Sequence, residues 1–282
     1  MTQKDKQKLI DKAIYVLMAA TLGFVSILLL AILMYILTYG AGHINLGFIT
    51  RSAHDGGIFP MIVTTLYVVL VSLAVALPVG IMTAIFLNEY AGNSIAVRLL
   101  RLAIETLAGI PSIIYGLFGL LFFARVLQFG QSIIAGAFTL SIMILPVIIR
   151  TVEESLKSIP TSYREASLSL GATKIQTITY AVIPQALPGI LTASILGIGR
   201  VVGESAPVLL TVGIAINVPR TIFDSGRTLT IHLYYLTKEA VNPDDFNIAF
   251  ATAAILVVLV VIINTSTKII ASKFSKKLGG GE

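Results

Sequence analysis

The sequence contains no cysteine, and its three histidines, His43, His54 and His232, stand far apart along the chain. Without cysteine there is no disulfide framework, thiolate metal site or cysteine nucleophile. The histidines also lack the spacing of a metal motif such as H-E-x-x-H. We therefore expect no bound metal, no cofactor and no catalytic residue in this chain.

Charge is scarce as well, since Asp, Glu, Lys and Arg make up 12% of the 282 residues, about half of the roughly 25% typical of soluble domains. This composition excludes a soluble globular protein. Hydrophobic residues make up 56% of the chain, and the mean hydropathy is +0.92. The long apolar runs are hydrophobic on every side and do not alternate, which is typical of membrane helices and not of β-barrel strands. The sequence predicts an all-α membrane protein.

Six apolar stretches are long enough to cross a bilayer, which takes about 20 helical residues. The predicted transmembrane helices cover residues 13–37, 60–87, 102–124, 132–149, 184–212 and 247–267. The first could be a signal peptide, but its apolar part is too long and lacks a convincing cleavage site. We interpret it as a retained anchor.

The chain divides accordingly into a basic N-terminus (1–12), a first transmembrane helix (13–37), a core with helices two to six (60–270) and a tail (271–282). Its last four residues, Gly-Gly-Gly-Glu, have nothing apolar to bury and are predicted to be disordered.

The distribution of basic residues predicts the orientation, because Lys and Arg accumulate on the cytoplasmic side of a membrane. If the N-terminus is inside, fourteen of the 20 basic residues lie in cytoplasmic segments. The outer segments hold Arg51, Arg125, Arg220, Arg227 and Lys238. Both termini are therefore predicted to be cytoplasmic, and the net charge of +6 reflects topology, not nucleic-acid binding.

The segment between the fourth and fifth spans, residues 151–183, is long enough to have its own role. Ser162 and Glu165 have the spacing of a capping box, and Thr173 and Gln176 repeat it after Gly171, a residue suited to end a helix in the left-handed conformation. The pattern predicts two short helices joined by a turn. Such a unit either docks another protein or packs on its own bundle.

A family resemblance favours docking. Glu165-Ala166-Ser167-x-x-x-Gly171, followed after nine residues by Ala181-x-Ile183-Pro184, resembles the E-A-A-x-x-x-G-x9-I-x-L-P motif of permease subunits of ABC importers. Ser167, Ala181 and Ile183 differ conservatively from the motif, whereas Gly171 and Pro184 are retained. The resemblance implies a coupling helix that docks in a groove of an ATPase subunit. Pro184 is predicted to open the fifth span.

The chain has no ATP-binding motif of its own, because G-x-x-x-x-G-K-[ST] and even the dipeptide Gly-Lys are missing from the sequence. We expect it not to be an enzyme. The resemblance implies that ATP and Mg bind to partner ATPase subunits.

Three ionisable residues, Glu105, Arg200 and Glu204, are predicted to lie well inside spans, where a charge is costly unless it is paired or hydrated. Arg200 and Glu204 are four residues apart and share a helical face. Two interpretations remain open. The pair neutralises itself structurally, or Arg200 binds an anion while Glu204 accepts a hydrogen bond from a protonated substrate oxygen or pairs with Arg200 in the empty path.

The third span contains Pro111, which removes one backbone hydrogen bond and clashes with the carbonyl of Leu107. The helix is therefore expected to kink or to break at Gly109, Pro111 and Ser112. If it breaks, Pro111 starts a new half-helix whose positive end could face an anion near mid-membrane. An ordinary proline kink is the alternative.

Three segments resemble the phosphate-uptake (Pst) subgroup of these permeases, the PstA type. They are residues 87–91 (Leu-Asn-Glu-Tyr-Ala), residues 105–116 around Pro111, and residues 200–207 (Arg-Val-Val-Gly-Glu-Ser-Ala-Pro). The resemblance implies a type I importer permease of the MetI-like fold that imports inorganic phosphate by alternating access. It places Arg200, Glu204, Glu105 and Arg150 in the substrate pathway, although topology alone also explains Arg150 at the inner end of a span.

The resemblance also implies partners and a location. The partners are a second homologous permease, two cytoplasmic ATPase subunits and an extracytoplasmic phosphate-binding protein that contacts the outer segment 213–246. The location is the cytoplasmic membrane of a prokaryote. Alternatives are import of another oxyanion such as sulfate or molybdate, a passive channel, and a membrane-embedded hydrolase using Glu105 or Glu204, for which no nucleophile or metal arrangement is found.

Overall fold

The computed structural model describes residues 3–92, 94–240 and 243–278, and these ranges contain helices and connecting turns without a strand. The predicted all-α architecture is confirmed. The predicted disorder of residues 279–282 falls outside the described residues. The helices are α1 (Gln3–Ala41), α2 (Leu46–Thr50), α3 (Phe59–Ile85), α4 (Ile95–Ala108), α5 (Ser112–Gly119), α6 (Ile133–Lys157), α7 (Thr161–Ser169), α8 (Lys174–Gln176), α9 (Ile183–Gly203), α10 (Ala206–Thr211), α11 (Leu229–Glu239) and α12 (Pro243–Leu278).

Three helical rods contain a π-helical turn, in which hydrogen bonds join residues five apart and not four apart as in an α-helix. These turns are Phe86–Tyr90 after α3, Leu120–Val126 after α5 and Thr177–Val182 before α9. A short 3-10 turn covers Ala53–Asp55.

Five rods are long and apolar enough to cross a membrane, and the bent pair of α4 and α5 makes a sixth if it counts as one span. The five are residues 3–41, 59–90, 133–157, 174–203 and 244–270. Five of the six predicted spans are therefore confirmed, and the third is a span only if α4 and α5 count together.

The centre of the bundle is α6, which packs against α3 on one side and α9 on the other. Leu140, Ile144 and Ile148 of α6 are fully buried against apolar side chains that include Val68 of α3 and Ile198 of α9. Because lipid is as apolar as these side chains, such packing stabilises the bundle mainly through close van der Waals contact.

The first helix lies apart from this core. The apolar window of α1 has no buried residue, and the helix packs chiefly on α12. Near its end, the rings of Tyr35 and Tyr39 lie 5.5 and 5.7 Å from that of Phe250, and Gly40 lets the two backbones approach closely.

The bundle has two ends, named here by a residue at each. The Arg164 end carries the segment that joins α6 to α9, and it includes the end of α3. The Phe48 end carries α2 and the segment 213–228. There, Phe48, Ile58, Met61, Leu229 and Ala251 form a separate buried cluster.

Both predicted boundaries of the fifth span are wrong. The fifth span does not open at Pro184, because a continuous helical rod runs from Lys174 to Gly203. The N–H of Ile183 donates to the Ile178 carbonyl five residues back, so the helical turn before Pro184 is wider than an α-helical turn. This wider turn explains why a proline is tolerated within the rod. The span also ends at Gly203, well before the predicted Val212, and α10 is a separate short helix.

The predicted capping box of Ser162 and Glu165 is also wrong. Pro160 occupies the N-cap position without a side-chain cap, and α7 begins at Thr161. Ser162 therefore lies inside the first turn, where its side chain cannot cap the helix. The second capping box is confirmed: Gln176 N–H donates to Thr173 Oγ1 over 3.3 Å, and Thr173 N–H donates to Gln176 Oε1 over 2.8 Å.

Candidate functional site

The third span breaks at Gly109–Pro111, and α4 and α5 meet at an angle of 101°. Gly109 is the C-cap of α4, Pro111 is the N-cap of α5, and Ser112 is the first residue of the new helix. The predicted break is thus confirmed, and the alternative of an ordinary kink is wrong. The hydroxyl of Tyr115 donates a 2.7 Å hydrogen bond to the Leu107 carbonyl across the break.

The broken helix packs against a second interruption of the chain, the gap between α9 and α10. A side chain at Gly116 of α5 would come within 2.8 Å of the Cα of Pro207 in α10. Two discontinuous helices therefore meet here, an arrangement that in transporters is found where substrate binds.

Arg200 and Glu204 lie at this second interruption. Arg200 is in the last turn of α9, and Glu204 is the first residue beyond it, in an extended conformation. Arg200 Nε lies 3.7 Å from Glu204 Oε1, so the predicted ion pair is present although Glu204 is not on a helical face. The separation exceeds a hydrogen bond, and the Arg200 side chain is 33% exposed. The hydroxyl of Thr230 donates to the Glu204 carbonyl over 3.3 Å.

Glu105 lies in α4, the first half of the broken third span, at the edge of a cleft of about 150 Å³ between α4 and the second half of α6. Glu105 is exposed. Arg150 lines the same cleft and pairs with Glu154, Nε to Oε1, at 3.2 Å. The structure thus brings Glu105 and Arg150 together, but neither Arg200 nor Glu204 lines this cleft.

A charged network lines the same cleft. Glu153 Oε1 lies 3.0 Å from Arg101 Nη2 and 2.8 Å from Lys157 Nζ. Arg101 also donates to the Leu87 carbonyl over 3.2 Å, so it connects α4 with α3 as well as α6. No role was predicted for Arg101 or Glu153. The fourth span was predicted to end at Ile149, whereas α6 continues to Lys157.

The segment between α6 and α9 forms a compact projection from the Arg164 end. It consists of α7, a turn at Gly171 and α8, which leads into the π-turn before α9. Gly171 has φ of +83°, which confirms the left-handed conformation predicted for it. Glu165 and Ala166 are exposed, and Ser167 is half-buried and bonds to Thr177, Oγ to Oγ1, at 3.0 Å.

The most buried ion pair described at this end was not predicted from the sequence. Arg164 of α7 lies 2.7 Å from Glu89, Nη2 to Oε1, and the Glu89 side chain is 8% exposed. Seventy-five residues separate the two, so no local spacing links them. The only available signal was an acidic residue at the end of an apolar span, within the residues 87–91 noted above.

Residues 213–228 lie at the Phe48 end and lead into α11. Asp224 accepts hydrogen bonds from the N–H groups of Arg220 and Thr221, which lower the pKa of its carboxyl. His232 of α11 is largely buried beside Arg227, and burial together with that charge lowers its pKa to about 4. Among the described residues, no cluster of acidic and histidine side chains is placed to hold a metal ion.

Comparison with a family of known proteins covers most of the chain. Residues 76–279 match the model of a family described as binding-protein-dependent transport system inner membrane component. The match includes α4 to α11, and with them the broken helices, the Arg200–Glu204 pair and the projection at the Arg164 end.

Individual proteins are similar as well. The chain is 31% identical to the probable ABC transporter permease protein YqgI of Bacillus subtilis strain 168, over 96% of this chain and 98% of that protein. It is 37% identical to the phosphate transport system permease protein PstA 1 of Mycobacterium tuberculosis strain H37Rv, over 76% and 70% of the two chains. A chain of a bacterial alginate ABC transporter, solved in complex with a pentasaccharide-bound periplasmic protein, superposes with a TM-score of 0.70 at 15% identity, over 96% and 98%.

Proposed function

The chain belongs to the family of binding-protein-dependent transport system inner membrane components, and from this membership we propose that it is the permease subunit of an ATP-driven importer of inorganic phosphate. The observation that supports phosphate as the substrate is the 37% identity to a permease named for phosphate transport. The fold, shared with the alginate importer chain, supports the permease role.

In this proposal, the substrate pathway passes the two interrupted helices. Arg200 binds phosphate oxygens, because its guanidinium is planar, always charged and able to donate two parallel hydrogen bonds. Its contact with Glu204, at 3.7 Å, is too long to be a hydrogen bond, so it leaves donors for an anion. Glu204 pairs with Arg200 in the empty path and accepts a hydrogen bond from a protonated phosphate oxygen when substrate is bound.

Glu105 and Arg150 belong to a later part of the pathway. The cleft that they line opens at the Arg164 end, which we propose is cytoplasmic, because the basic residues of the chain concentrate there. Both termini are then cytoplasmic, and phosphate leaves by this cleft. In this interpretation the Arg150–Glu154 pair, which is more than half exposed, opens readily to let an anion pass.

Partners complete the importer. We propose a second homologous permease, two cytoplasmic ATPase subunits that bind ATP and Mg, and an extracytoplasmic phosphate-binding protein. The exposed residues Glu165 and Ala166 support docking of an ATPase at α7, and the exposed residues Arg220 and Phe223 suit contact with a binding protein. The unburied first helix supports contact of α1 with lipid or with the second permease.

The proposal is tested with the complete assembly in vesicles that are supplied with ATP and phosphate. Wild type should accumulate phosphate, and Arg200→Ala should lower uptake by about 10- to 100-fold, because a hydrogen bond to a charged group contributes about 1.5–3 kcal/mol. Arg98→Ala is the matched control, since Arg98 is exposed on α4. Unchanged uptake by an intact Arg200→Ala assembly would assign the pair a structural role.

Competition experiments distinguish phosphate from the other candidate oxyanions. Excess sulfate or molybdate should leave phosphate uptake by the wild-type assembly unchanged. If either oxyanion is itself accumulated with ATP while phosphate is not, the permease role stands and the substrate is wrong. Accumulation without ATP hydrolysis would instead indicate a passive channel.

A further inference from the structure

The helix α7 is attached to the bundle through few side chains. Seven of its nine residues are exposed, and the two that are not are Arg164 and Ser167. Ser167 bonds to Thr177, in the π-turn that leads directly into α9. Arg164 reaches in another direction, to the end of α3.

Two of the three guanidinium nitrogens of Arg164 contact Glu89. Nε donates to both carboxylate oxygens of Glu89, over 3.1 and 3.3 Å, and Nη2 donates to Oε1 over 2.7 Å. A second set of bonds runs from Arg164 to the end of α6: Nη1 donates to the Ile159 carbonyl over 3.0 Å and Nη2 to that of Leu156 over 3.1 Å. One side chain thus joins α3, α6 and α7.

This ion pair is far more buried than the pair of Arg150 and Glu154. Side-chain exposure is 19% for Arg164 and 8% for Glu89, against 65% and 66% for Arg150 and Glu154. An exposed pair contributes little, whereas separation of a buried and hydrogen-bonded pair leaves a charge without a partner at a cost of several kcal/mol. Arg164 and Glu89 therefore move together.

Chain connectivity shows why α3 needs such a contact. The backbone already connects α7 to α6 on one side and, through α8, to α9 on the other. No covalent connection leads from α7 to α3. Besides the ion pair, Lys174 Nζ lies 4.5 Å from the centre of the Tyr90 ring, so the neighbour of Glu89 is also held by this projection.

We propose that the Glu89–Arg164 pair is the link that transmits displacement of α7 to the second span, with Glu89 and Arg164 as positioning residues for coupled transport. This inference rests on the proposed function, in which ATPase subunits displace α7. The π-turn at Phe86–Tyr90 belongs to the same device, because it ends α3 with Glu89 turned toward α7. Without the link, α3 follows α7 only through its packing on α6.

The test measures phosphate accumulated per ATP hydrolysed by the complete assembly in vesicles. Glu89→Gln removes the charge and keeps the shape, and it should retain assembly and ATPase activity while this ratio falls about tenfold, within the range usual for coupling between sites. Asp11→Asn, the same change at an exposed position of α1, should leave the ratio at the wild-type value.

A covalent cross-link between positions 89 and 164 distinguishes a mechanical link between α3 and α7 from an ion pair that only stabilises the fold. Because the chain has no cysteine, the double variant Glu89→Cys, Arg164→Cys offers two unique thiols to a short bis-maleimide. The ratio should be low before cross-linking and should recover at least half of the wild-type value afterwards. No recovery in an intact assembly, or a wild-type ratio in Glu89→Gln, would overturn the link. Absence of phosphate uptake by wild type would contradict the proposed function instead.

Discussion

The Tyr115 hydroxyl bonds to the carbonyl of Leu107, the same carbonyl that Pro111 leaves without its helical N–H partner. The bond spans the break between α4 and α5, and the N–H of Ile110 also donates to this carbonyl, over 3.2 Å. A side chain of the second helix thus adds a second hydrogen bond to a carbonyl at the break, where unpaired polar groups would cost free energy inside a membrane. The 101° bend is therefore stabilised from within the chain.

Replacement of Tyr115 by Phe should weaken this bend. Loss of one interhelical hydrogen bond in a membrane protein should lower the free energy of unfolding by about 1 kcal/mol. Thermal unfolding in detergent measures it, with a fall in Tm expected for Tyr115→Phe. Tyr15→Phe, at an exposed position of α1, is the control and should leave Tm unchanged. Equal Tm values for both variants would contradict the role of the bond.

Close approach of α5 and α10 gives a second prediction. A Cβ at position 116 would lie 2.8 Å from Pro207 Cα and 3.0 Å from Leu210 Cδ1. Gly116→Ala should therefore destabilise the protein by about 1–3 kcal/mol, as overpacking does elsewhere. Gly23→Ala in α1, where a Cβ meets nothing within 4 Å, should be neutral or slightly stabilising. Chemical unfolding of the two variants compares them, and a neutral Gly116→Ala would show that the helices separate at little cost.

The turn after α7 gives a third prediction, because its constraint is conformational. Space around Gly171 is open, but its φ of +83° disfavours a branched side chain. Gly171→Val should strain the turn by about 1–2 kcal/mol, whereas Gly171→Asn should be tolerated. Hydrogen exchange of the amides of residues 161–176 should be faster in the valine variant alone, and phosphate uptake should fall with it. Unaltered uptake by Gly171→Val would contradict the docking role of α7.

His232 predicts a dependence of stability on pH. Its pKa is lowered from 6.5 to about 4, mainly by burial and further by Arg227. An unfolded chain therefore binds one more proton than the folded protein between these two values, and stability falls as the pH falls through this window. The loss should approach about 3 kcal/mol near pH 4.

Unfolding temperatures from pH 7 to pH 4.5 provide the measurement, with His232→Gln as the comparison. The variant cannot titrate there, so its Tm should fall less steeply with acid than that of the wild type. Tyr235, Glu239 and Asp245 line the same cleft as His232 and remain in both proteins. Parallel pH profiles would therefore exclude His232 as the sensitive group.

Much of the fold follows from patterns within short stretches of sequence. The apolar runs predicted the spans, Pro111 with Gly109 predicted the break, and the pair of Thr173 and Gln176 predicted a capped helix. Each of these depends on residues within a few positions of one another. The end of the fifth span was missed because Gly203 and Glu204 interrupt a run that stays apolar to Val212.

The parts of the site that sequence could not supply depend on long-range packing. Glu89 and Arg164 are 75 residues apart, and their contact requires α3 to lie beside the end of α6. Hydropathy measures composition and not direction, so it predicted neither the 101° bend after α4 nor the cleft that Glu105 shares with Arg150. Local spacing contains no information on either arrangement.

The Glu89–Arg164 pair also limits how related permeases can exchange parts. A chimaera that takes residues 151–183 from a relative without a matching arginine would leave the Glu89 carboxylate buried and unneutralised. A graft that takes residues 86–90 alone would leave Arg164 unpaired in the same way. The smallest portion of this protein that can be inherited or transplanted intact therefore consists of two stretches that are distant in the sequence.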